Sequence, residues 1–256
     1  MHRLMVTSAV YRQASRPVNP GWDDETSARA AEIWTQQIKH DPDNKLIGRM
    51  RRKRLEGEAI RDAMLAASGS LSRRRGGPGV RPPLPAEVLS TLLDKQWPVT
   101  KDERDHRRRS VYLFVRRNLR FPLFDAFDRP DTNASCPERN RSTTAPQALV
   151  LLNSELSLDA ATRLAGALIA SGGPTGLERI RQGYRLALSR LPSAGEMRLA
   201  LAFLAETEAR LKQEGHDPAA LALPHPLPPG TDVFEAAALT DLCLAIFNLN
   251  EFVYVD

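Results

Sequence analysis

The chain has 256 residues, with 36 Lys and Arg against 31 Asp and Glu, a formal charge of +5, 42% apolar and 26% charged residues. That is long enough to bury a core and ordinary for a globular protein. No apolar run approaches the roughly 20 residues that cross a bilayer, so no membrane span is expected. The basic surplus raises nucleic acid as a partner, but arginine far outnumbers lysine and the cations are mixed with acids. No aromatic-interleaved basic motif is present, so nucleic acid is not favoured.

Cys136 and Cys243 are far apart and outside any CxxC or CxxCH pattern, which excludes a haem attachment or thiolate zinc site in this chain. The histidines His2, His40, His106, His216 and His225 lack metal-ligand spacing. No metal and no cofactor are expected.

In chain order, "MHRLMVTSAVYRQAS" has a basic start, but Thr7, Ser8 and Arg12 interrupt its apolar stretch, so it reads as a helix and not as an export signal. A turn-rich "SRPVNPGWDD" leads to a helix over 24–39, with Ala28, Ala31, Ile33, Trp34 and Ile38 at helical spacing and acids at its start. The basic run "RMRRKR" at 49–54 precedes a helix with Leu55, Ala59, Ile60, Ala63, Met64 and Ala67 on one face and Gly69 as its cap. Arg54, Glu58, Arg61 and Asp62 form its opposite, charged face, read as solvated. "GGPGVRPPLP" forbids regular structure. A short helix follows over 86–93. In "RRSVYLFVRRN", Val111, Leu113 and Val115 alternate with Tyr112 and Phe114, which predicts a short extended segment.

From Pro146 the pattern is helical. "SLDAATRLAGALIASGG" is amphipathic and stopped by glycines. "GLERIRQGYRLALSRLP" places Leu177, Ile180, Tyr184, Leu188 and Leu191 on a stripe. Ser193 and Glu196 form a capping box for the next helix, in which Leu201, Leu204 and Leu211 recur. After a Pro-rich excursion, "VFEAAALTDLCLAIFNLNEFVY" is the most apolar element and is expected in the core. The fold class is therefore mainly α: an irregular multi-helix domain over 1–256, with long Pro/Gly-rich loop excursions at about 72–85 and 216–232 and at most one or two short strands.

The stretch "PDTNASCPERNRSTTAPQALVLLN" at 130–153 is too rich in polar groups to be a spacer. Three readings stay open. It is a self-bonded loop, in which Asp and Asn accept from nearby amides, Ser and Thr cap the following helix and Arg139 ties the loop to carboxylates such as Asp128. Or it lines a cleft in which Arg109, Arg116, Arg117 and Arg139 hold anionic groups while Asn133, Ser135, Gln147 and Asn153 orient hydroxyls, a site for anionic or other glycans. Asp128, Asp131 and Ser142 belong to the same candidate wall. Or it is an enzyme acting on polysaccharides or their esters, with Asp128 and Asp131 as an acid/base pair or Cys136 as a nucleophile.

"HRLMVTSAVYRQAS", "DPDNKLIGRMRRKRLEGEAIRDAM", "RRSVYLFVRRN", "FDRPDTNASCPERNRSTTAPQALVLLN", "YRLALSRLPSAGE" and "NLNEFVYVD" together resemble consecutive blocks of the planctomycete C-terminal domain of unknown function 1553. The resemblance implies an exported or periplasmic multidomain setting. Its partners there would be a sister domain and a cytochrome-type domain, with haem c only on that separate domain. Read from its residues, "RMRRKR" either pairs with Glu56, Glu58 and Asp62 downstream or is a docking patch for an acidic partner domain. The resemblance also implies a domain start ahead of Met1, so this chain is expected to be an N-terminally truncated form. The resemblance carries no activity, and a non-catalytic binding or scaffold role is the leading expectation.

Overall fold

The structure is a computed structural model that describes residues 1–17, 24–90, 96–117, 119 and 121–255. The chain divides into two compact units, one of Met1–Arg54 with the C-terminal residues from Tyr254, the other of Leu55–Val253. The first holds α1 (His2–Val6), α2 (Asp24–His40) and a two-stranded antiparallel ribbon of β1 (Lys53–Arg54) and β2 (Tyr254–Val255), in the register Lys53↔Val255 and Arg54↔Tyr254. Acids open α2 and basic residues close it, as the helix dipole favours. Its apolar spacing nevertheless leaves no residue buried, and Ile33 and Ile38 are exposed. Part of the expected turn before α2 lies outside the described residues.

The second unit carries the core. Its helices are α3 (Gly57–Ala67), α4 (Ala86–Leu89), α5 (Glu103–His106), α6 (Pro122–Ala126), α7 (Ala145–Asn153), α8 (Glu155–Ser171), α9 (Gly176–Leu188), α10 (Ala194–Gln213), α11 (Val233–Phe247) and α12 (Asn250–Val253). Among the described residues the fold is thus mainly helical with one small sheet. The remainder of the helix expected over 86–93, beyond residue 90, lies outside the described residues.

Helix α11 is the most apolar helix, broken only by Glu235, Thr240 and Asp241, and is largely enclosed, with its closest packing against α8 and α10. Ala236, Ala237 and Ala238 of α11 and Ala160, Ala161 and Ala165 of α8 are buried, and such small side chains let helix axes approach. A Cβ on Gly183 of α9 would touch Leu168 and Ile246 at 3.4 and 3.6 Å, so α9 packs tightly on both partners. At Gly166 the backbone of the Pro-rich excursion comes close enough that a Cβ would meet the His225 carbonyl oxygen at 2.5 Å. The His225 amide donates to the Thr162 carbonyl at 2.9 Å, fastening that excursion to α8. Helix α11 stops at Asn248, whose side chain donates to the Leu244 carbonyl, and the rings of Phe247 and Phe252 then pack at 5.0 Å across the break into α12. Such an aromatic pair is worth about 0.5–1.5 kcal/mol beyond its burial.

Two side-chain stripes read from the sequence are only partly buried. On α9, Ile180 and Tyr184 are inside while Leu177 remains exposed, and Leu191, beyond the end of the helix, is exposed too. On α10 the buried positions are Ala200, Thr207 and Leu211, with Leu201 turned outward.

Helix α3 departs most from expectation. Ile60, Met64, Leu65 and Ala67 are buried as its periodicity requires, and it ends in a Schellman turn with Gly69 at φ +69°. Its charged face is not solvated, because Arg61 is 1% exposed and Arg54, just ahead of the helix, is 5% exposed. The Arg61 guanidinium donates to the carbonyls of Arg108 (2.9 Å) and His106 (2.5 Å) and to Ser110 Oγ (3.2 Å). Asp62 Oδ1 accepts from the backbone amide and the hydroxyl of Ser110, both at 2.7 Å. Two adjacent side chains thereby clamp residues 106–110. Burial pushes the Arg61 guanidinium down to about 10, against the opposing pull of Asp62.

This clamp shapes the segment expected to be extended. Ser110–Tyr112 forms a single 3-10 turn, and only then does the chain extend, pairing Leu113 with Val80. Arg108, also 1% exposed, carries the order into the Gly/Pro excursion. It donates to the Gly76 and Pro78 carbonyls and lies 3.9 Å over the Tyr112 ring, whose hydroxyl accepts from the Gly76 amide. The excursion can therefore bury Val80 and Leu84 without regular structure.

At the far end of the unit, the capping box of Ser193 and Glu196 is present, and Arg190 bonds both Glu196 and Glu251. The Arg190 fork holds the Glu196 carboxyl down to about 2 from an ordinary 4.5.

Three outcomes are expected. Arg61→Met leaves the His106 and Arg108 carbonyls without their donor and lowers unfolding free energy in urea by about 2–4 kcal/mol. Arg109→Gln, at an exposed pair with Asp62, costs under about 1 kcal/mol. The Glu196 carboxylate stabilises the fold fully above pH 4.5, and that contribution is lost as pH falls toward 2. Glu196→Gln should therefore lower Tm at pH 7 and flatten its fall between pH 4.5 and 2 in acid-titrated thermal melts.

Candidate functional site

The polar stretch connects α6 to α7, and its form starts at the end of α6. Phe127 caps that helix, Asp128 takes φ +59° and the Arg129 amide donates back to the Phe124 carbonyl at 2.9 Å, a Schellman turn with aspartate where glycine is usual. Aspartate tolerates this left-handed conformation better than most residues. Placed there, its two carboxylate oxygens accept from the Ser142 amide (2.8 Å) and hydroxyl (2.8 and 2.9 Å), closing a fourteen-residue span.

Ser142 passes the connection on. The Gln147 side-chain amide, buried on α7, donates to the Ser142 carbonyl at 3.1 Å and to its hydroxyl at 3.2 Å. The start of α7 is thus organised by Gln147 reaching back. The N-cap Thr144 makes no side-chain cap bond, contrary to the expectation that Ser and Thr would cap this helix.

Arg139 ties the loop to α3 rather than to Asp128. Its guanidinium bonds both oxygens of Glu58 at 3.0 and 3.3 Å and reaches Glu56 at 3.0 Å. Glu58 holds the Arg139 side chain in its charged form. Arg129, near Glu58 at 3.9 Å, stands over the Phe124 ring. Glu58, Glu56 and Arg129 are the partners that sequence reasoning missed. Glu58 and Arg139 are 81 residues apart, and no local pattern links them.

Within the loop, Asp131 Oδ1 accepts from the Asn133 amide and side chain, both at 3.0 Å, and the Cys136 thiol donates to the Glu138 carbonyl at 3.0 Å. Asp125, Asp128, Arg129, Asp131, Ser135 and Asn140 line an open concavity of about 440 Å³. Three carboxylates there face a single guanidinium.

The other candidates are not gathered on this wall. Arg109 stands 3.7 Å from Asp62, and Arg116 donates to the backbone and side-chain carbonyls of Gln96. Arg116 and Arg117 border a separate narrow crevice with Arg129 and Thr132, whose hydroxyl donates to the Arg117 carbonyl. Asp128, Asp131 and Ser135 line the concavity, while Asn133, Arg139 and Ser142 brace it from within the loop and Gln147 braces it from α7.

Cys136 is exposed and Cys243 buried, both as free thiols, and burial pushes the Cys243 thiol well above its ordinary range. Among the described residues no group of three or more His, Cys, Asp or Glu could hold a metal ion, and no helix is long and apolar enough to cross a membrane.

The Arg139–Glu58 pair gives a direct check of the bracing. In urea unfolding of Arg139→Ala, Glu58→Ala and the double variant, each single change should cost about 1–2 kcal/mol, with a coupling of at least about 0.5 kcal/mol. Additive losses would show that the pair does not hold the loop.

No curated protein and no solved structure matches the chain. The family described as "Protein of unknown function (DUF1553)" matches residues 1–204, most of both units. The braced polar loop, the buried arginine clamp and the helices that carry them all fall within that match up to residue 204, and the chain belongs to this DUF1553 family.

Proposed function

We propose that this chain is a non-catalytic binding and scaffold domain whose 128–140 loop offers a polar concavity to neutral, hydroxyl-rich ligands of the glycan class. The observation that supports this reading is the division of labour in the loop. Arg139 is committed inward to Glu58 and Glu56, while Asp125, Asp128, Asp131, Ser135 and Asn140 line the open side with the single guanidinium of Arg129. Carboxylates accept hydrogen bonds from hydroxyls and repel anions, so the concavity suits a neutral sugar better than an acidic one.

A catalytic reading draws less support. Both Asp128 oxygens are occupied in accepting from Ser142, an orienting role that closes the loop. The Cys136 thiol is turned to a backbone carbonyl of its own loop.

Thermal melts with neutral cello-, manno- and malto-oligosaccharides test the proposal. One class should raise Tm in proportion to ligand occupancy. Ser135→Ala combined with Asn140→Ala should weaken that ligand by about tenfold while the ligand-free Tm stays within about 2 °C. The proposal fails if no neutral glycan moves Tm, or if the double variant keeps the full shift.

A further inference from the structure

We propose that the loop concavity selects neutral sugars that carry an acetamido group, with Arg129 as the residue that recognises the amide. The inference rests on the neutral-glycan reading and narrows its ligand class. One guanidinium, that of Arg129, lines the concavity of about 440 Å³ among the carboxylates of Asp125, Asp128 and Asp131.

The Arg129 side chain is held by packing and charge, not by hydrogen bonds. Its guanidinium stands 5.4 Å from the centre of the Phe124 ring. Glu58 Oε1 lies 3.9 Å from its Nε, beyond hydrogen-bond reach. Both Glu58 oxygens already accept from Arg139, at 3.0 and 3.3 Å. Among the described residues the Arg129 fork therefore donates to no protein acceptor, although the side chain is only 20% exposed. Ser135 and Asn140, on the same wall, also make no side-chain hydrogen bond among the described residues. The concavity thus combines a fixed donor with two polar side chains that the fold does not use.

This set complements an amide. A carbonyl oxygen is a stronger acceptor than a hydroxyl or ring oxygen, and its bond to a guanidinium is charge-assisted. An amide carbonyl carries no net charge, so the three carboxylates do not repel it as they would a carboxylate or sulfate. The amide N–H finds an acceptor in Ser135 Oγ or the Asn140 side-chain carbonyl. The methyl group finds Pro130, Ala134 and Pro137, which line the same concavity. A plain hexose places a hydroxyl where the amide would lie and offers the Arg129 fork a weaker acceptor. A site built to hydrogen-bond one group discriminates against the analogue that lacks it.

Chito- and cello-oligosaccharides share one backbone and one linkage and differ by an acetamido group in place of a hydroxyl. The full chain is titrated by calorimetry with the chitin tetramer, cellotetraose and the deacetylated glucosamine tetramer. The chitin tetramer should bind about tenfold or more tighter than cellotetraose. Arg129→Lys, which keeps the charge and removes the fork, should bring the two ligands within about threefold of each other. The comparison of ligands on the unaltered chain holds whether or not that variant folds. Equal or tighter binding of cellotetraose leaves the neutral-glycan reading standing and overturns this inference. Tighter binding of the glucosamine tetramer, or a full acetamido preference in Arg129→Lys, also overturns it. No binding by any of the three overturns it too, whereas the neutral-glycan reading falls only if manno- and malto-oligosaccharides are silent as well.

Discussion

A guanidinium removed from water must find acceptors, and the order of the irregular third of this protein depends on how Arg61 meets that demand. Helix α3 presents Arg61 and Asp62 side by side, one a donor fork and the other an acceptor pair, to a segment whose backbone has no helix or sheet to join. The fork takes the His106 and Arg108 carbonyls, and the carboxylate takes the Ser110 amide and hydroxyl. The segment 106–110 is held at both polarities, so Arg108 and Ser110 can be buried within it. Arg108, fixed by that arrangement, repeats the device one layer out on the carbonyls of Gly76 and Pro78. A chain segment rich in glycine and proline, unable to pair its own backbone, is thus ordered by buried cations in series.

The helical half relies on a different economy. Helices α8, α9 and α11 bury alanines and glycines where they approach, and the larger side chains Leu164, Leu168, Ile246 and Phe247 fill the remaining space. Inside α11 the buried Thr240 hydroxyl donates to the Ala236 carbonyl of its own helix. At the helix ends the Ser193–Glu196 and Thr175–Glu178 capping boxes satisfy the free amides, and Arg190 joins α10 to α12 through two carboxylates.

The α6–α7 loop stands between these two regimes and borrows from both. Asp128 ends a helix in a left-handed conformation and simultaneously grips Ser142, while Gln147 from the next helix completes the relay. Arg139 then fastens the loop to α3, the helix that carries the clamp. The loop's polarity is therefore largely structural, and its open face is the part proposed for a ligand. Its open side is lined by three carboxylates and the Arg129 guanidinium.

Periodicity and local chemistry in the sequence determined the helices: the mainly α class, the stops at Gly69, Gly172 and Asn248, the Ser193–Glu196 capping box and the burial of α11 all follow from residues within a few positions of each other. The polar loop was legible as a place where many hydrogen bonds must be satisfied. Which bonds they are was decided by tertiary structure, because the partners lie far apart in sequence. Arg139 finds Glu58, 81 residues away, in preference to the nearby Asp128. Arg61 has the spacing of a solvated helix face, yet it is buried because the 106–110 segment folds over it, and nothing in the helix's own pattern encodes that covering strand of chain. Apolar burial is non-directional and leaves its period in the sequence. A buried charge is resolved by specific acceptors at specific distances, and only the folded chain supplies them.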